Sequence, residues 1–141
     1  MIGRYDTTAR GLIAVMAMAA IGCRQAPDTT NMNELQRVKT ATLNIVLLST
    51  RETLRQGKDT FSLEFRAVSD NHLVDVGDVR GRATMPMAGT PMFGSLDVRR
   101  TSVPGRYAGS SELSMAGSWR VTLEWHGAAG QGSVSFTGSV Q

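Results

Sequence analysis

Trp119-Arg120-Val121-Thr122-Leu123-Glu124-Trp125-His126 alternates strictly between bulky apolar and polar side chains. Successive side chains of a strand point to opposite faces, so Trp119, Val121, Leu123 and Trp125 share an inward face. Arg120, Thr122, Glu124 and His126 share the outward one. Phe61–Val68 repeats the pattern, with Phe61, Leu63, Phe65 and Ala67 set against Ser62, Glu64 and Arg66, and Val134 and Phe136 repeat it near the C-terminus. Thr42–Ser49 is apolar on both faces and reads as a central strand. Val79–Met87, Phe93–Arg99 and Arg106–Met115 fill the middle. Turn residues stand at Gly57-Lys58-Asp59, Asp70-Asn71, Gly89-Thr90-Pro91, Pro104-Gly105, Ala116-Gly117-Ser118 and Gly127 to Gly132. No long helical periodicity appears, and fifteen glycines oppose a helical fold. About seven short strands over roughly 100 residues predict an all-β fold, an immunoglobulin-like antiparallel β-sandwich.

The N-terminal end reads as an address. Arg4 and Arg10 are followed by the apolar run Gly11–Ile21, which is too short for a membrane-spanning helix, and then by Ala20-Ile21-Gly22-Cys23. This is the layout of a bacterial lipoprotein leader, cut before a cysteine that then carries lipid. The expected division is 1–22 signal peptide, 23–39 polar tether (Pro27 within it) and 40–141 domain. The expected location is the cell envelope, as a periplasm-facing lipoprotein held by Cys23, with Arg24 favouring the outer membrane. Cys23 is the sole cysteine, so neither an intramolecular disulfide nor a multi-cysteine metal centre can form. The chain carries a formal charge of +3, and loss of the leader leaves a nearly balanced domain with scattered arginines. Arg99-Arg100 is the only adjacent basic pair, so nucleic acid is not an expected partner.

Met85, Met87, Met92 and Met115 carry the main functional question. Thioethers fill irregular core gaps, and they are also soft ligands suited to Cu(I). Antiparallel succession brings the strand ending at Met85 and Met87, the strand opening at Met92 and the strand ending at Met115 to one pole of the sandwich, with Trp119 leaving from it. His72 and His126 fall at the other pole. Met85 and Met87 share a strand face about 6–7 Å apart. Three readings stay open at this level: plain core, a soft-metal site, or a hydrophobic contact surface.

The strand ending in Met85-Pro86-Met87, the Gly105-Arg106-Tyr107 turn, Met115-Ala116-Gly117-Ser118-Trp119 and the strand Val121 to Trp125 together resemble the YtkA-like family and the related FixH-like domains. The resemblance covers about Thr40 to Gln141. It implies a small secreted or membrane-anchored β-sandwich associated with copper handling, beside an envelope metal-transport or oxidase-assembly protein. Where the family often carries further Met or His after the Met-Pro motif, this chain has Ala88, Gly89 and Thr90.

Catalysis is not expected. No nucleophile elbow occurs, no glycine-rich loop opens a helix, and Glu64, Asp97, Glu112 and Glu124 take outward or strand-end positions where carboxylates are solvated. Asp75 and Asp78 flank Gly77 but lack the further oxygens a Ca²⁺ site needs. The expected function is a lipid-anchored binding protein handling a soft metal ion such as Cu(I) through Met85, Met87, Met92 and Met115. The alternative is a non-metal interaction module contacting another envelope protein.

Overall fold

A computed structural model describes residues 25–141. The expected leader and the expected lipidation residue Cys23 lie outside the described residues. Eight strands follow in order: β1 (Asn33–Lys39), β2 (Leu43–Ser49), β3 (Gly57–Ala67), β4 (Asp78–Met85), β5 (Met92–Arg100), β6 (Arg106–Leu113), β7 (Gly117–Gly127) and β8 (Gly130–Val140). They form one ribbon of order β1-β2-β3-β6-β5-β4-β7-β8, with every neighbouring pair antiparallel. Met92–Gly94 of β5 pair with β4, and Ser95–Arg100 pair with β6. The strand therefore changes sheets at its middle, and the ribbon folds over on itself as a sandwich.

The all-β sandwich expected from alternation is the observed one, with eight strands in place of about seven. The additional strand is β1, which lies inside the segment expected to be a tether. Its sequence, NELQRVK, has too little apolar character to announce a strand. It is held by backbone pairing along β2, from Asn33↔Ser49 to Lys39↔Asn44, with an irregularity between Glu34 and Gln36. Charged side chains and a bulge are common on edge strands, where they deter pairing with another chain. Gly57-Lys58-Asp59, read as a turn, forms the opening of β3 opposite Leu113, Glu112 and Ser111.

The inward alternation holds through β7: Trp119, Val121 and Leu123 are buried and Trp125 is half-buried. They meet Ile45, Leu47, Phe61, Leu63, Phe65, Tyr107 and Leu113 from the facing sheet. Phe65 is an aromatic hub, edge-on to both Tyr107 and Trp125 at 5.4 Å between ring centroids. Such pairs add about 1 kcal/mol beyond their burial. The Tyr107 hydroxyl donates to the Gly77 carbonyl at 2.8 Å, which ties the β3–β4 crossover to the core. Gly77 has φ +87°, and a Cβ there would lie 2.2 Å from the His126 carbonyl oxygen, so only glycine fits.

The outer face of the central strands corrects one expectation. Glu64 is not a solvated carboxylate: its side chain is 3% exposed and is held by two arginines. Arg66 Nε donates to one carboxylate oxygen at 2.7 Å, and Arg106 Nε, from the neighbouring strand, donates to the other at 2.9 Å. Val46 and Ser62 on the same outer face are also buried.

Candidate functional site: the methionine pole

β4, β5, β6 and β7 all begin or end at one pole, where the methionines gather. Met85 and Met92 are direct cross-strand partners, next to the Thr84↔Phe93 pair. Met85 points inward and is 8% exposed. Its methyl occupies space left by Gly117: a Cβ on that residue, which has φ +134°, would lie 3.0 Å from Met85 Cε. Met92 is half-buried, and its sulfur accepts a hydrogen bond from the Ser114 hydroxyl at 2.9 Å. The next residue, Met115, lies in the β6–β7 turn, and its carbonyl accepts the Trp119 indole N–H at 2.9 Å. That bond satisfies the polar atom of a ring otherwise sealed in the core. Met87 follows two residues beyond Met85, in the β4–β5 connection.

The four candidate residues differ in environment. Met85 is core, Met92 borders it, and Met87 and Met115 are 47% and 42% exposed. Sequence reasoning missed Phe93, which is 68% exposed. The signal was its parity: it shares the outward positions of β5 with Ser95, Asp97 and Arg99, so a phenylalanine stands in a polar row. Met87, Phe93 and Met115 are the exposed large hydrophobic residues among those described, and all three sit at this pole. Scattered single apolar residues are ordinary on a surface, so it is their shared pole that sets these three apart.

The histidines lie at the other end. His126 pairs across strands with Asp78 and Gln131, and His72 follows the β3–β4 turn hydrogen-bonded to Asp70. Among the described residues no three His, Cys, Asp or Glu side chains form a metal-holding group. Among the described residues, the thioethers placed as direct cross-strand partners are those of Met85 and Met92. Asp75, also at the histidine end, has its carboxyl held below the usual range. The causes are the Gly77 amide N–H first and the Arg100 guanidinium second, the latter at 2.7 Å. Desolvation pushes the Tyr107 phenol up, with the nearby Asp75 charge adding to the shift. The Asp75 and Tyr107 contacts tie loops together.

Comparison with known proteins follows the geometry. No curated protein matches the chain in sequence. Among solved structures, the Lin-41 filamin domain is similar over 83% of this chain and 98% of its own length, at 13% identity and a TM-score of 0.43. The model of the YtkA-like family matches residues 37–124, from inside β1 to inside β7 and across the whole methionine pole. The chain belongs to the YtkA-like family.

Proposed function

We propose that this protein is a non-catalytic interaction module of the cell envelope, anchored by lipid on Cys23, with the methionine pole as its working end. The observation that carries the reading is the concentration of exposed Phe93, Met87 and Met115 at one tip, over a rigid base of Met85, Met92 and Trp119. A YtkA-like β-sandwich suits such a role, because tight turns on a rigid scaffold can present side chains with little ordering cost on binding. The physiological partner in this reading is another envelope protein of metal transport or oxidase assembly. A photo-crosslinking residue placed at Phe93 in intact cells should give protein adducts, while one at Asn71, on the opposite pole, should not. Equal adduct yields at the two positions would refute the reading. Labelling with a fatty-acid analogue that is lost in Cys23→Ser tests the anchor separately.

A second reading adds a ligand at the same pole. Met85 directly opposite Met92, with Met115 adjoining Ser114, favours Cu(I) held by two or three thioethers in a site partly shielded from water. Competition with a Cu(I)-selective chelator measures it. Replacing Met85, Met87, Met92 and Met115 by leucine should abolish the affinity, and an unchanged affinity would discard the metal reading while leaving the contact surface intact.

A further inference from the structure

From the path of Gln25–Met32 we infer that this segment is a docked strap, and that it turns the loop pole of Ser102–Pro104 toward the lipid surface and the methionine pole away from it. The inference rests on the proposed lipid at Cys23 and adds an orientation that lipidation alone does not supply. A free tether over Arg24–Lys39 would span more than about 50 Å when extended and would leave the domain free to tumble. The described chain does otherwise. The Ala26 amide donates to Ser102 Oγ at 3.2 Å, in the β5–β6 loop. Asp28 then closes a local turn, accepting from the Thr30 amide at 2.9 Å and the Thr30 hydroxyl at 2.6 Å, and the Met32 amide bonds back to the Thr29 carbonyl. Ala26, Pro27, Thr29 and Met32 are half-buried, as residues packed against a surface are.

The direction of travel is fixed by the fold. Asn33 opens β1 opposite Ser49, one residue past the Leu48, Ser62 and Ala108 row and so level with the middle of β6, whereas Ser102 stands at the loop end, just before β6 opens at Arg106. The strap therefore runs from the Ser102 loop up to the middle of the sheet. It passes close enough to Arg106 for that guanidinium to contribute to the lowering of the Asp28 carboxyl, after the Thr30 hydrogen bonds. Arg106 also holds Glu64, on the outer face where Ser62 and Val46 are buried. Three Cα-to-Cα steps lead from Ala26 back to Cys23, a reach of at most about 11 Å. The eight residues of β6 separate the two poles by about 25 Å. A lipid attached within that reach of Ala26 joins the domain on the Ser102 side, nearer the loop pole than the methionine pole, while the strap is docked.

The experiment uses the full lipidated chain in phosphatidylcholine–phosphatidylglycerol vesicles containing a nitroxide lipid. Acylation consumes the single native thiol, so Pro104→Cys and Met115→Cys each give one site for an environment-sensitive fluorophore. The label at 104 should be quenched severalfold more than the label at 115. Adding Ser102→Ala, which removes the acceptor of the strap bond from an exposed position, should bring the two values together. Vesicle association with equal quenching at 104 and 115 overturns the orientation while leaving the anchor standing. Failure of the wild-type chain to associate, with Cys23→Ser behaving identically, overturns the anchor and the orientation with it.

Discussion

Replacing Glu64 by glutamine tests how the outer face of the sheet is held. The carboxylate is 3% exposed, and the side chains of Arg66 and Arg106 are 25% and 20% exposed. Each arginine contacts it through two nitrogens, Arg66 at 2.7 and 2.6 Å and Arg106 at 2.9 and 2.8 Å. Glutamine keeps the shape but removes the charge, and it turns an N–H toward one guanidinium. Breaking a buried ion pair on one side costs about 3–5 kcal/mol, because the remaining charge stays buried. Both arginines retain some contact with water, which moves the expectation to the lower end, about 3 kcal/mol. For a domain of this size that is a fall in Tm of roughly 10–15 °C. Urea unfolding followed by tryptophan fluorescence measures it, with the m-value expected to stay constant. Glu124→Gln is the matched control: its pair with Arg82 spans 3.3 Å between side chains 48% and 64% exposed, so the change should stay within about 0.5 kcal/mol. A Glu64→Gln loss no larger than the control would refute the claim that burial makes this cluster structurally important.

Gly77→Ala should destabilise the domain by at least about 2 kcal/mol in the same assay, since it combines a left-handed φ with a clash against backbone. Tyr107 has a folded pKa raised above its ordinary 10.0, so its contribution is complete below pH 10 and is lost as pH rises through the folded value. Tyr107→Phe should cost about 1 kcal/mol at pH 7 and remove that part of the alkaline decline, as thermal melts from pH 8 to pH 12 would show. Asp75 behaves in the opposite sense: its folded pKa is depressed, so its stabilisation is present above the unfolded value and fades as pH falls through the folded one. Asp75→Asn should therefore flatten the acid limb of the stability profile below about pH 4. Phe93→Ser should leave stability within about 0.5 kcal/mol and lower the binding of a hydrophobic dye, because the ring is exposed before any partner arrives.

Alternation in Trp119–His126 and Phe61–Val68 was enough to identify strands and their inward faces, because the two-residue period is a property of the local backbone. Turn residues and antiparallel succession were likewise enough to send the methionines to one pole and the histidines to the other. Four outcomes needed the tertiary structure. Asn33–Lys39 becomes a strand because β2 offers it an open edge, and nothing in its own seven residues compels that. Glu64 has the parity of a solvated residue, yet it is buried, because Arg106 arrives from 42 positions away and the outer face of β3 is covered. Phe93 matters through its company at the tip with Met87 and Met115. The docking of Gln25–Met32 depends on a hydroxyl 76 residues distant. Periodicity reports which way a side chain points from its own strand; what covers it or pairs with it is supplied by segments remote in sequence, and only the folded chain brings them into contact.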